Sequence, residues 1–441
     1  MLLLSLFIFS LLKIMKQNLF DKSANSLVKF SRRWGRQSWV IFLVLFGIYL
    51  TFIPFTFPFS AQSRNQPAEI RGVWLTNIDS EVLFNSQTLT EGINTLSELN
   101  FNTLYPTVWN WGYTLYPSQV AKSVVGKELD PTEGLQGRDI LKEIVKQGHD
   151  KGMSVIPWFE FGFMAPADSE LAKRHQDWLT KRQDDSTVWV EGNVHDRVWL
   201  SPFNPEVQEF LTNLLVEIVT NYDIDGIQVD DHFGIPFDFG YDDVTVELYQ
   251  QEHNGKMPPN TPSYLKMGSN NCLAQDTAWT EWTEWRNNKI TEYMGEVFAA
   301  VKAVKPDIIV SVSPNPQTFS KNCFLLDWQS WERKGLIEEL VLQVYRQNMV
   351  DFEREINQPE VRQAKAHIPF AVGVLSGLKG RPVPMQRIND QVKATRNQKF
   401  AGVSFFFYES LWNFGPKSSN ERQFMFKQMF PTTVSRPLSK G

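Results

Sequence analysis

The chain has 441 residues and a formal net charge of -5, with 42% hydrophobic and 21% charged residues. That is long enough for one large domain or two medium ones, and it lacks the basic excess that a nucleic-acid-binding face requires. The 6 His residues are scattered without spacing of the H-E-x-x-H kind, so no metal-ligand motif stands out, while 33 Phe and 15 Trp give an aromatic-rich chain. Aromatic faces suit sugar rings, although most of these rings belong to a core.

Residues 1–65 form a segment of their own. Met1 to Leu12 is apolar, and Lys13 to Arg36 is rich in Lys and Arg with Asp21 the one acid. No charge occurs from Gln37 to Ser63, and the stretch near 39–60 is strongly apolar. About 20 such residues suffice to cross a bilayer, and basic residues on the N-terminal side place that side in the cytoplasm. The expectation is a membrane anchor with the body held outside the cytoplasm, at the cell surface or in a periplasm. A cleaved signal, giving a secreted body, is the competing reading. Phe59 speaks against cleavage after Ala61, where a small residue is wanted. Met15 offers a second start site.

From Ile70 the chain alternates short apolar strands with amphipathic stretches, the pattern of parallel βα units. Strands are expected at 70–76, 103–108, 154–159, after Tyr222 up to Asp230, and at 308–313, 340–345, 370–374 and 402–407. Helices are expected at 89–99, 139–151, 206–222 and 279–304. Eight strands in this order predict a (β/α)₈ barrel over residues 66–430, followed by a tail at 431–441. Asn77-Ile78-Asp79-Ser80 follows strand one instead of a glycine-rich loop, so a dinucleotide fold and its cofactor lose their main support. Segments 110–136, 162–204 and 234–277 exceed ordinary connections. All leave the C-terminal end of the strands, where such barrels carry their sites. Cys272 and Cys323 are the 2 cysteines, and in an exported chain they are able to form one disulfide.

The most informative stretch is Asp225-Gly226-Ile227-Gln228-Val229-Asp230-Asp231-His232. Alternation puts Ile227 and Val229 on one face and Gln228 and Asp230 on the other. A carboxylate ending the inner face of a strand is costly unless it has a job or a partner. A helix cap or loop-start Asp explains one such carboxylate better than two.

Several motifs in order resemble the glycosyl hydrolase-like 10 family. They are Glu69-Ile-Arg-Gly-Val-Trp-Leu-Thr-Asn77, Asn102-Thr-Leu-Tyr105, Trp199-Leu-Ser-Pro202, Asp225 to Asp231, and Ser311-Val-Ser-Pro314. The likeness runs from about Ala68 to Phe430. It implies a (β/α)₈ barrel acting on glycans, some members being linked to peptidoglycan strands. The family does not hand over a catalytic pair, so that choice rests on the residues.

Glycoside hydrolysis ordinarily uses two carboxylates, one protonating the leaving oxygen and one acting as nucleophile or base. Asp230 ends strand four and is read as nucleophile or charged stabiliser, with Asp231 beside it bonding substrate hydroxyls. Glu160, after Pro157-Trp-Phe159, and Glu409, after Phe405-Phe-Phe-Tyr408, both lie among aromatics that raise a carboxyl pKa. The sequence does not separate them as the acid. The position of strand eight, across the pore from strand four, gives Glu409 the preference. Gln343, Tyr345 and Arg71 are candidates to bond sugar or hold a carboxylate, and Trp109, Trp111, Trp158 and Trp412 are candidate aromatic platforms. Two further readings stay open: a metal-dependent hydrolase using Asp230, Asp231 and His232, and a glycan-binding barrel without turnover.

Overall fold

The computed structural model describes residues 68–265, 272–273 and 276–437. The expected membrane span at 39–60 lies outside them. Among the described residues no helix is long and apolar enough to cross a membrane.

Eight parallel strands close into a barrel. They are β1 (Ile70–Leu75), β2 (Thr103–Asn110), β3 (Ser154–Val155 continuing at Trp158–Phe159), β4 (Gly226–Asp230), β5 (Ile309–Ser313), β6 (Glu339–Gln343), β7 (Phe370–Leu375) and β8 (Gly402–Phe406). β1 pairs with both β2 and β8, which closes the ring. Every expected strand is present, with ends shifted by a residue or two. β3 differs most: Pro157 interrupts it, because proline has no N–H to give a neighbouring strand.

The helices pack outside. α1 (Ser86–Glu98) starts where Asn85 accepts from the amides of Gln87 and Thr88. α2 is Ile140–Asp150, and α3 (Pro205–Asn221) starts behind Asn204, with proline in its first turn. α3 buries Val207, Phe210, Leu211, Leu214, Leu215 and Ile218 against the barrel, a broad apolar stripe. α4 (Thr277–Val304) follows β4 and its long insertion. Cys272, in that insertion, is disulfide-bonded to Cys323 after β5.

Closure has a strict steric demand. A side chain at Gly402 would put its Cβ 2.1 Å from the Ile70 carbonyl oxygen, and φ there is +147°. Only glycine fits, and β8 reaches β1 through it.

The inward residues build a layered pore. Ile70, Trp74, Tyr105, Ile156, Trp158, Val341, Ala371 and Phe407 form its apolar part. Through it runs a hydrogen-bonded polar chain. Trp74 Nε1 donates to Gln228 Oε1 at 2.8 Å, and Gln228 Nε2 donates to Ser311 Oγ at 2.9 Å. Ser311 Oγ and Tyr105 OH both donate to Glu339 Oε1, each at 3.0 Å. Glu339, 2% exposed, is paired with Arg436 from the C-terminal tail. Other tail contacts hold that guanidinium under the pore, including Glu69 N–H to Ser435 O at 3.0 Å and Asn102 Nδ2 to Val434 O at 3.2 Å.

Arg436→Met should therefore strand a buried carboxylate. We expect a loss of about 3 kcal/mol in urea unfolding, the cost of removing one partner of a buried pair. Arg436→Met combined with Glu339→Gln should recover part of it, and an unchanged single variant would show that the tail does not support the pore.

Candidate active site

At the C-terminal ends of the strands lies a cleft of about 540 Å³. Glu160, Trp158, Asp230, Asp231, His232 and Gln343 line it, with Thr76, Phe161 and Phe406. Glu191, His195 and Arg197 reach it from the insertion after β3. There the antiparallel strands Trp189–Glu191 and His195–Trp199 form a hairpin, and Arg197 pairs with Glu191 at 2.9 Å.

Asp230 ends β4 with its side chain in the pore, as strand parity predicts, and is 2% exposed. Trp158 Nε1 donates to its Oδ2 at 2.6 Å. Its Oδ1 accepts from Gln343 Nε2 at 2.8 Å and from the Asp231 amide at 2.5 Å. Burial first, and then the Asp231 charge, push this carboxyl well above its ordinary range. Three N–H donors pull the other way, because they favour the carboxylate.

Glu160 follows β3 and is 7% exposed. Its Oε2 accepts from Thr76 Oγ1 and Thr107 Oγ1, both at 3.0 Å, and from Asn110 Nδ2 at 2.8 Å. Oε1 has no bonding partner among the described residues, so it is the oxygen left for a proton or a ligand. Burial raises this carboxyl from 4.5 to about 7, against the lowering effect of the two threonines and His232. His232 shares its Nδ1 with the Glu160 carbonyl at 2.8 Å, which ties the ends of β3 and β4 together.

The remaining expected residues divide. Asp231 lines the cleft and accepts from Asn315 Nδ2 at 2.5 Å. Tyr345 stacks on Phe406 at 5.3 Å, and its hydroxyl is pushed well up by burial and by Asp230, Asp231 and Glu160. Glu409 does not line the cleft. β8 ends at Phe406, and the chain then turns into a short helix, Tyr408–Trp412, whose outer side carries Glu409 to Asn413 and to Ser80 at 3.4 Å. The preference for Glu409 assumed that the strand ran further than it does.

Arg71 is at the opposite end of the barrel. It points outward from β1, pairs with Glu69 at 2.8 Å and lies over the Phe430 ring at 4.6 Å. Trp109 is fully buried against Phe210 of α3, and Trp412 packs on Phe426, so neither offers a platform in the cleft. Trp111 packs against the main core and is also absent from the cleft lining. Of the tryptophans considered, Trp158 alone lines it. Thr76 and Thr107 escaped the sequence reading although strand parity puts them on the inner face with Trp74 and Tyr105. Glu191, His195 and Arg197 carried no such signal, because a long insertion has no period to place them.

Asp230, Asp231 and His232 each offer a ligand atom within 4.8 Å of the others. The donor set argues against a cation there. Both Asp230 oxygens already face N–H groups, and Asn315 points its amide at Asp231.

Residues 69–395 match the glycosyl hydrolase-like 10 family. The chain belongs to that family. Among curated proteins, glycosyl hydrolase DigH of Escherichia coli K12 is 23% identical over 331 residues, spanning 65% of this chain and 67% of DigH. Glycosyl hydrolase YngK of Bacillus subtilis 168 is 22% identical over 341 residues, spanning 70% of this chain and 60% of YngK. In structure, the chain is similar to the PgaB (BpsB) glycoside hydrolase domain from Bordetella bronchiseptica. That likeness has a TM-score of 0.59 at 11% identity, over 83% of this chain and 99% of the domain. The α-L-fucosidase isoenzyme 2 from Paenibacillus thiaminolyticus gives 0.55 at 14% identity, over 82% of this chain and 49% of that protein. At such identities the likeness concerns the fold alone, a barrel of this kind.

The raised Glu160 carboxyl makes stability depend on pH. The folded chain holds this proton up to about 7, while the unfolded chain releases it near 4.5. Between those values the folded state binds more protons, so stability falls as pH rises and then levels off. Glu160→Gln removes the dependence. Its stability relative to the parent should rise by up to about 3 kcal/mol from pH 4.5 to 7 in chemical denaturation. A constant difference across that window would mean that Glu160 titrates normally.

Proposed function

We propose that this protein hydrolyses glycosidic bonds in a polysaccharide outside the cytoplasm, with Glu160 as general acid and Asp230 as nucleophile or charged stabiliser. The carrying observation is one cleft holding two buried carboxyls with different donor sets. Glu160 keeps Oε1 free and titrates near 7, which suits a group that must give a proton near neutral pH. Asp230 has N–H donors on both oxygens, which favour its carboxylate against the burial that raises its proton affinity and so support a charge facing an oxocarbenium-like centre. Trp158 fixes Asp230 and presents its ring to the same cleft, where a sugar face is able to stack. Asp231, Gln343 and Tyr345 surround the pair as groups for sugar hydroxyls.

An exterior location is part of the proposal. The Cys272–Cys323 disulfide joins two rim insertions, and such bonds persist in oxidising compartments. The basic-then-apolar order of residues 13–60 supports the same direction of export. Cell-wall glycan is the substrate class this location favours. A reporter fused after Gly441 should be active only outside the cytoplasm; activity confined to the cytoplasm would overturn the location.

The chemical roles separate by leaving group. Asp230→Asn should lower hydrolysis of every substrate by several powers of ten, with the fold intact by circular dichroism. Retention of more than about a tenth of the rate, worth only about 1.4 kcal/mol, would remove Asp230 from the mechanism. Glu160→Ala should cripple cleavage of a natural glycan yet spare an activated aryl glycoside, whose leaving group departs without a proton. In the parent, activity on the natural glycan should fall as pH rises past about 7, because the acid loses its proton. Uniform loss on both substrates would make Glu160 a positioning group and place the acid elsewhere.

A further inference from the structure

Beside the catalytic cleft, on the same rim, lies a smaller cavity of about 180 Å³ lined by Arg346, Arg381 and Arg387 together with Gln347, Leu375 and Val383. Among the described residues no carboxylate lines it. Arg346 makes one ion pair, with Glu355 at 3.4 Å. Arg381 and Arg387 have no acidic partner within 4.0 Å among the described residues. In a chain of net charge -5, this small cavity gathers three guanidiniums, two of them without an ion pair among the described residues.

The cavity and the cleft share a wall. Gly377–Leu378 pairs with Arg381–Pro382 in a hairpin, so Leu378 lines the cleft while Arg381 lines the cavity. Leu375 is the strand partner of Phe406, which also lines the cleft. Arg346 directly follows Tyr345, whose ring stacks on Phe406. The arginines therefore stand on the far side of the wall that bounds the cleft.

We propose that this cavity is an anion subsite, which seats a carboxylate or phosphate carried by the glycan next to the sugar being cleaved. The proposal rests on the glycoside hydrolase reading and deepens it: the substrate is an acidic glycan. Guanidinium forks match the two oxygens of a carboxylate or phosphate, and their charge is independent of pH in the working range. Neutral sugars gain nothing from such a site, so it contributes selectivity as well as affinity.

Binding tests this without turnover. The full chain carrying Glu160→Gln is titrated calorimetrically with an oligogalacturonate, with the same oligosaccharide after carboxyl reduction, and with inorganic phosphate. The same titrations follow on that chain with Arg381→Ala and Arg387→Ala added. Both arginines are at the surface or half-buried, and a thermal melt checks the fold. We expect the added changes to weaken the charged oligosaccharide at least about tenfold, as for lost charge-assisted hydrogen bonds. The neutral oligosaccharide should change by less than about twofold. Loss confined to inorganic phosphate assigns the subsite to a phosphorylated glycan, and loss confined to the oligogalacturonate assigns it to a carboxylated one. Equal affinities with and without the arginines, or no binding of either anion by the starting chain, overturn the subsite. Failure of the hydrolase reading is distinct: it is the absence of turnover by the parent on any glycan, whatever the arginines bind.

Discussion

A barrel interior that holds carboxylates must supply each with donors, and this requirement organises the molecule. Among the described residues three carboxyl groups face the pore: Glu339 near the N-terminal end of the strands, Glu160 and Asp230 at the other. Glu339 receives a cation. Arg436 enters from the tail, and Tyr105 and Ser311 complete the set. Glu160 and Asp230 receive only neutral donors: hydroxyls, amides and an indole N–H. The two ends are thus compensated differently. Charge compensation fixes the lower carboxylate as structure, whereas its absence leaves the upper two with raised proton affinity and available chemistry.

The polar chain between the ends gives this division a mechanical basis. Trp74, Gln228 and Ser311 link side chains from β1, β4 and β5 in the middle of the pore. Gln228 lies two residues before Asp230 on the same face, so fixing Gln228 fixes the direction from which Asp230 emerges. Trp158 binds Asp230 while packing near Trp74, with ring centroids 6.1 Å apart. Donors held by a packed core need little reorganisation when charge develops, which is the property that electrostatic catalysis uses.

The barrel was legible in the sequence because parallel βα units repeat a strong local signal: an apolar strand, then an amphipathic helix. Parity alone put Asp230 inward, since a strand has only two faces. The same rule, applied to Thr76 and Thr107, reaches the Glu160 partners that the sequence reading passed over. What was not legible depends on where a strand stops. Glu409 follows four aromatic residues that read as a continuing strand, yet β8 ends at Phe406 and the chain coils, which turns the carboxylate out of the cleft. Arg71 failed differently. Its fork does hold a carboxylate, but that of Glu69 at the base, because odd positions of β1 face the helices and not the pore.

The long insertions complete the site in a way no local pattern encodes. The insertion after β3 returns as a hairpin that brings Glu191, His195 and Arg197 over one side of the cleft. On the other side, the short hairpin after β7 separates the cleft from the arginine-lined cavity. The two cleft carboxyls thus sit on rigid strand ends, while other groups around the cleft sit on loops. A rigid chemistry with a variable rim lets one barrel accept different substrates by loop change alone. Selectivity in this protein is therefore to be sought in the segments around Arg197 and Arg381, and not in the carboxylate pair.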